Sequence, residues 1–150
     1  MIQKQRLLNT EALILNKERY IMTTLIKENI RTRINEEIQA SPAWLGKISG
    51  LKAEKMLLGW DRPYLYVLRE GENKEEVNGI CKTDYYITFV LPDLSIKHQP
   101  FVISTCEEGW GYYNGCPGGL YPKGTATIDD VLHLIMHCHK DECVPFIYEV

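Results

Sequence analysis

Three runs of sequence decide the fold: PYLYVLR at residues 63–69, DYYITFVL at 84–91 and LSIKHQPFVI at 94–103. Each run is rich in aromatic and β-branched residues, which favour strands over helices. Pro92-Asp93 lies between the last two runs and favours a turn, because proline fixes its own φ angle. The sequence therefore predicts a buried strand, a polar turn over residues 70–79, and then an antiparallel hairpin.

A long helix is predicted before these strands. Residues 2–39 contain no glycine or proline, and their aliphatic residues recur at intervals of three and four, which is the pattern of an amphipathic helix. Pro42 ends this helix, because a residue that precedes proline avoids the helical region. We therefore divide the chain into an N-terminal helical extension, residues 1–41, and one domain, residues 42–150.

Two shorter helices are predicted within the domain. Ser49 is a suitable N-cap for a helix over residues 51–58, and Gly59 can end that helix in the left-handed conformation. Thr127 begins a sequence similar to a capping box, which predicts a last helix that extends to about His139.

The segment 104–126 is rich in glycine and aromatic residues, and it predicts a long loop. Large aromatic side chains in such a loop can cover a bound ligand, or they can close a small local core. Both alternatives are open for Trp110, Tyr112, Tyr113 and Tyr121.

Composition and charge narrow the class of protein. The chain has 150 residues, 45% hydrophobic and 25% charged, which is typical of one globular domain. Its net charge of −3 gives no reason to expect nucleic acid or an anionic membrane as a partner. No apolar run approaches the roughly 20 residues that cross a bilayer. The five cysteines show no CxxC motif, so we expect reduced thiols and a cytoplasmic protein.

Motifs for catalysis or metal binding are weak or missing. The sequence contains no GxSxG, P-loop or HExxH motif, so we do not expect an enzyme. Five residues near the C-terminus could form a zinc site: His133, His137, Cys138, His139 and Cys143. The simpler interpretation is that the first two histidines lie on the solvent face of the last helix. We therefore expect no metal ion and no cofactor.

Six blocks follow one another in an order and spacing that are hard to obtain by chance. They are WLGKIS at 44–49, AEKMLL at 53–58, YVLRE at 66–70, YYITF at 85–89, IKH at 96–98, and IDDVL at 128–132 with CVPF at 143–146. Together they resemble the Src homology 2 (SH2) domain family over about residues 43–148. The resemblance implies an α+β fold with a central antiparallel sheet flanked by two helices, here preceded by the long N-terminal helix.

The resemblance also implies a function, which is non-catalytic binding of phosphotyrosine peptides. A phosphotyrosine carries about −1.5 to −2 charges and three acceptor oxygens, so its pocket needs a fixed, bidentate donor. Arg69 ends an apolar run that should hold the arginine stem in the domain. The other phosphotyrosine-binding residues that the resemblance implies are Gly71, Glu72, Asn73, Lys74, Tyr86 and His98, with Lys47 as a further basic group. The implied peptide-contact residues are Gln99, Trp110, Tyr112, Tyr113 and Tyr121.

The sequence departs from the family in the basic groups around the phosphate. The loop 70–76 is acidic, whereas the family's loop is usually rich in serine and threonine. The position of a helper arginine is taken by Gly50, and that of a second basic residue by Pro100. Lys47, Lys52 or Lys82 would have to compensate.

These features lead to a binding module whose partners are tyrosine-phosphorylated proteins or peptides, acting as an adaptor or competitor. We expect a monomer whose N-terminal helix packs on its own domain. A small module without a kinase or phosphatase is similar to the SH2-like modules of bacterial effectors, which act in the host cytoplasm. The alternative is a scaffold that keeps the SH2 fold and binds an unmodified partner through the aromatic loop and the N-terminal helix.

Overall fold

A computed structural model of the chain describes residues 2–76, 79–106, 108–113 and 127–147. The protein has an α+β fold, with a long N-terminal helix, a five-stranded mixed sheet and two short helices. The elements in chain order are α1 (Ile2–Gln39), α2 (Gly50–Leu57), β1 (Leu65–Glu70), β2 (Asn73–Glu76), β3 (Gly79–Lys82), β4 (Tyr85–Val90), β5 (Ile96–Cys106), β6 (Gly109–Tyr113), α3 (Asp129–Met136), a short 3₁₀ helix (Lys140–Glu142) and β7 (Val144–Pro145).

The five-stranded sheet has the order β6-β5-β4-β1-β7. The predicted hairpin is confirmed, because β4 and β5 pair antiparallel across the turn at Pro92-Asp93. The expectation of an antiparallel sheet is correct for four strands, but β7 pairs with β1 in parallel, so the sheet is mixed. The polar segment 70–79, predicted as a turn, instead contains β2 and the start of β3, which pair antiparallel.

The sheet lies between two layers of helices. Successive side chains of a strand point to opposite faces, so Leu65 and Val67 face α2 whereas Tyr66 and Leu68 face the other way. On one face α2 packs through Ala53 and Leu57. On the opposite face lie α3 and the end of α1, which contribute Ile34, Ile38, Val131, Leu132, Ile135 and Met136 to the larger core.

Among residues 9–39 of α1, whose side chains the structure describes, only those of the last turns pack on the domain. Ile34 and Ile38 are fully buried and Ile30 is partly buried. By contrast, the large apolar residues between Leu13 and Ile26 are exposed. The expectation that this helix packs on its own domain therefore holds for its C-terminal end alone. Within the described residues, no helix is long and apolar enough to cross a membrane.

The segment 104–113 is a hairpin rather than part of a long loop. β5 continues to Cys106, and β6 pairs with it in a register that sets Ile103 opposite Tyr112. Trp110 and Tyr112 are each 1% exposed and belong to the larger core. Of the two alternatives for the aromatic residues, packing in a core is therefore correct for this pair. Residues 114–126, including Tyr121, lie outside the described residues.

The helix ends follow the predicted chemistry in part. The Ser49 side chain accepts a hydrogen bond from the backbone N–H of Lys52, which confirms the predicted N-cap, and Gly59 has a φ of +88°. At the start of α3 the Asp130 carboxylate accepts from the backbone N–H of Thr127 at 2.9 Å. That helix ends earlier than predicted, because His137 adopts the left-handed conformation with a φ of 57°.

Candidate functional site

Arg69 lies on the face of the sheet that α2 covers, at the end of the apolar strand β1. Alternation along β1 directs Val67 and then Arg69 toward α2, and the Arg69 residue is only 8% exposed. The first turn of α2 approaches the guanidinium closely at Gly50. A Cβ atom at this glycine would lie 3.2 Å from Arg69 Nη2 and 3.4 Å from His98 Cε1. Gly50 therefore lies in close contact with both the guanidinium and the imidazole.

Two side chains of the neighbouring strands fix the guanidinium. Arg69 Nε donates to Thr88 Oγ1 at 3.1 Å, and Arg69 Nη2 lies 3.3 Å from His98 Nδ1. Thr88 and His98 are opposite each other in the β4–β5 register, and Thr88 Oγ1 lies 2.9 Å from His98 Nδ1. Since arginine can only donate, Nδ1 must be the acceptor, and the proton of neutral His98 is then on Nε2. That Nε2 atom lies 3.8 Å from Glu54 Oε2.

The Tyr86 ring covers one face of the guanidinium. The Arg69 Cζ atom lies 4.2 Å from the ring centroid, which is cation–π geometry. The Tyr86 hydroxyl donates to Glu72 Oε1 at 3.5 Å, so the loop after β1 is joined to β4. We call Arg69, Tyr86, Thr88 and His98 the Arg69 site.

The electrostatics of the Arg69 site favour an added anion. Burial lowers the pKa of Arg69, and the nearby Tyr86 and Glu72 oppose that effect only in part. Burial and the Arg69 charge lower the pKa of His98, while Glu54 acts in the opposite direction. None of the ion pairs among the described residues involves Arg69. Within that part of the chain, Nη1 of Arg69 also has no hydrogen-bond partner.

The loop glycine has a structural role that competes with the predicted one. The Gly71 N–H donates to the Asp84 carbonyl at 2.8 Å, so it is not free to bind a phosphate. A Cβ atom at position 71 would lie 2.0 Å from the Thr83 carbonyl oxygen, and this close approach requires glycine. Gly71 therefore holds the loop against the start of β4, and its N–H is engaged in that contact.

The structure brings some of the predicted residues together and separates others. Arg69, Glu72, Tyr86 and His98 meet at the Arg69 site. Lys47 and Lys52 are exposed. Asn73 and Lys74 lie in β2, and Lys82 lies in β3, with their side chains outside the described part of the structure. Gln99 donates through its side-chain amide to the Pro100 carbonyl at 3.1 Å. Tyr113 is half-buried at the end of β6, opposite Val102.

Thr88 and Glu54 belong to the surroundings of Arg69, and the sequence reasoning missed both. Thr88 is fully buried, although it is polar. The sequence did indicate Thr88, because the side chains of β4 point alternately to the two faces of the sheet and residue 88 shares a face with Tyr86. Glu54 carried no comparable signal, since a glutamate on a short helix is usually a solvated residue.

A concavity of about 480 Å³ lies beside α1, on the face of the sheet opposite the Arg69 site. Arg31 projects from α1 into this region and donates through Nη2 to the Ile103 carbonyl at 3.0 Å. Its Nη1 lies 3.8 Å from Asp84 Oδ2, and that same oxygen accepts from the Ile103 N–H at 2.8 Å. Unlike Arg69, Arg31 therefore has both a carbonyl and a carboxylate partner, which is the pattern of an arginine that joins two elements.

The histidine and cysteine residues near the C-terminus do not converge. Among the described residues, no three His, Cys, Asp or Glu side chains are placed to hold one metal ion. His133 Nδ1 lies 3.3 Å from the Cys138 carbonyl oxygen, and the Sγ atoms of Cys138 and Cys143 are 3.6 Å apart. Because α3 ends before His137, the two histidines do not share the solvent face of one helix, as we had expected from the sequence.

Comparison of the whole chain with known protein families finds no family that matches it, and comparison with curated proteins finds no match either.

Proposed function

We propose that this chain is a non-catalytic phosphotyrosine-binding module of the SH2 type, with Arg69 as the residue that holds the phosphate. The observation that carries the proposal is a buried arginine whose guanidinium has no carboxylate partner among the described residues. A buried charge without a counterion is costly, and a ligand anion removes that cost. The placement of the sheet between α2 and α3 agrees with what the SH2 resemblance implies.

The groups around Arg69 suit an aryl phosphate in particular. The Tyr86 ring and the His98 imidazole provide flat surfaces beside the guanidinium, against which a tyrosine ring can pack. Thr88 and His98 fix the orientation of the arginine, which prepares it for a planar, bidentate contact with phosphate oxygens.

The cellular setting follows as part of this proposal. The partners are tyrosine-phosphorylated proteins or peptides, and the module acts as an adaptor or a competitor in the cytoplasm. Its likeness to SH2-like modules of bacterial effectors points to the cytoplasm of a host cell.

A second candidate function is the binding of an unmodified protein partner by the same SH2-type scaffold. Two carboxylates favour this alternative, because Glu72 accepts a hydrogen bond from Tyr86 and Glu54 lies 3.8 Å from the His98 ring. Both carboxylates weaken the positive potential that a phosphate dianion needs.

The two candidates are separated by titrating the chain with one tyrosine peptide in phosphorylated and unphosphorylated form, using fluorescence anisotropy. We expect binding of the phosphorylated form and at least 100-fold weaker binding of the other. A phosphoserine version of the same peptide is the matched control, because its shorter side chain should not reach a guanidinium that is 8% exposed. Equal affinity for the phosphorylated and unphosphorylated tyrosine peptides would exclude the phosphotyrosine function.

A further inference from the structure

Most of α1 stands away from the domain. Ile30 is the first residue of the helix to pack on the core, so residues 2–29 extend beyond the domain over about 40 Å at 1.5 Å per residue. Eight large apolar residues in this section are between 39% and 74% exposed: Leu13, Ile14, Leu15, Tyr20, Ile21, Met22, Leu25 and Ile26. Such a surface on a protein chain usually marks an interaction site.

Six of these residues form one stripe along the helix. Ile14 and Ile21 are seven residues apart, as are Leu15 and Met22, and Leu25 and Ile26 continue both rows. A period of seven residues is the pattern of helices that pair side by side. An unpaired helix in water is only marginally stable, so this section needs a covering surface.

The stripe faces away from the domain that the helix carries. Glu18, at the centre of the stripe, precedes the buried Ile34 by sixteen residues. At 3.6 residues per turn, this spacing places the two side chains about 160° apart around the helix axis. The domain itself therefore cannot fold back over the stripe while α1 stays helical.

A shallow groove of about 430 Å³ lies within the stripe and is lined by Leu15, Glu18, Arg19, Met22, Thr23 and Ile26. The first four of these occupy positions i, i+3, i+4 and i+7. Four residues at this spacing form the hole that receives one side chain of a facing helix in knobs-into-holes packing. The groove therefore has the shape that a second helix would fill.

We propose that a second copy of this chain covers the stripe, with the two α1 helices antiparallel and the two-fold axis between Glu18 and Arg19. In this register Glu18 lies opposite Arg19 of the second copy, and the same pair recurs by symmetry. Leu15 lies opposite Met22 of the second copy, again twice. At its centre, this register therefore pairs opposite charges with each other and apolar residues with each other, as an isologous two-fold interface requires.

The opposite, parallel arrangement is disfavoured by charge. In a parallel pair in register, Glu18 would face Glu18 of the second copy and Arg19 would face Arg19. These like charges would repel each other across the interface between the two helices. The antiparallel arrangement also places the two domains at opposite ends, because Ile30 lies about 17 Å from the two-fold axis in each copy. This proposal differs from the monomer that the sequence led us to expect.

The test is sedimentation equilibrium of the full chain from about 1 to 100 μM. We expect a dimer, and we expect Met22→Glu to raise the dimer dissociation constant at least tenfold. Asn16→Glu is the matched control, since Asn16 is exposed on the opposite side of α1 from the stripe and its replacement should leave dissociation unchanged. A wild-type chain that is monomeric throughout this range would overturn the proposal.

A charge exchange tests the antiparallel register. Glu18→Arg alone and Arg19→Glu alone should each weaken the dimer at least tenfold, because each places like charges across the two-fold axis. The double variant that carries both changes should recover dimerisation to within about threefold of the wild type. A dimer that either single change leaves intact, or that the double change does not restore, would overturn this register. The measurement needs no phosphopeptide, so its outcome is independent of the function proposed for Arg69.

Discussion

Replacing Arg69 with methionine should abolish phosphopeptide binding and leave the fold intact. Methionine keeps an unbranched apolar stem and removes the charged donor. Each charge-assisted hydrogen bond to phosphate contributes about 1.5 to 3 kcal/mol, so loss of a bidentate pair should weaken binding by about 3 to 6 kcal/mol. At about 1.4 kcal/mol for each tenfold change, Kd should rise by about 10²- to 10⁴-fold.

The free energy of unfolding should change little in the same variant. Thr88 and His98 are already within hydrogen-bond distance of each other, at 2.9 Å, so neither loses all its partners when the guanidinium is removed. Burial lowers the pKa of Arg69, which means that the folded chain disfavours the charge at this position. Loss of the Tyr86 contact offsets part of that gain, by about 0.5 to 1 kcal/mol. We expect a net change within about 1 kcal/mol, or about 2 to 4 °C in Tm.

Arg31→Met is the matched control, with the opposite expected result. Arg31 joins α1 to the Ile103 carbonyl and to Asp84, so its loss should lower Tm and leave the phosphopeptide Kd unchanged. Fluorescence anisotropy gives Kd, and thermal unfolding gives Tm, for both variants. Wild-type affinity in Arg69→Met would exclude Arg69 from the phosphate site, and a fall in Tm of 10 °C or more would contradict the expected stability.

Two further predictions concern Trp110 and His98. Trp110 is 1% exposed, so Trp110→Ala should lower the free energy of unfolding by about 3 to 5 kcal/mol, as measured by thermal unfolding. The off-rate of the phosphopeptide should not change. A faster off-rate with an unaltered Tm would instead make Trp110 a peptide contact. Burial and the Arg69 charge hold the pKa of His98 below its ordinary value of 6.5 in the folded chain, so the unfolded chain takes up this proton first as the pH falls. Stability should therefore decrease below about pH 6.5. His98→Gln should flatten that part of a plot of Tm against pH. An equally steep plot for the variant would show that His98 does not cause the decrease.

The central hairpin and helix α2 could be predicted because their signals are local. Pro92-Asp93 separates two apolar runs in sequence, and Ser49 lies immediately before its helix. The burial of Arg69 could be expected from the apolar residues before it, whereas its choice as a phosphate-binding residue rested on the SH2 resemblance. These features depend on neighbours within a few positions, which a single sequence displays directly.

The remaining features depend on partners that are distant in sequence. The short strand β6 alternates glycine with Trp110 and Tyr112, and its glycines suggested a loop, since glycine is depleted in strands. Pairing with the long strand β5 overrides that local preference. Gly71 was assigned to phosphate binding by the SH2 resemblance, and no nearby residue indicates that Thr83 approaches it. Periodicity revealed the apolar stripe of α1, but not whether the domain covers it.

The parallel pairing of β7 with β1 has a consequence for synthesis of the chain. Val144 pairs with Leu65, so this part of the β1 edge stays open until 79 further residues have been added. At about 5 to 20 residues per second, translation of that interval takes about 4 to 16 s. An open edge with apolar side chains can pair with a strand of another chain. The nascent polypeptide is therefore most exposed to aggregation during this interval, and a ribosome-associated chaperone that shields Leu65 and Tyr66 should raise the yield of folded protein.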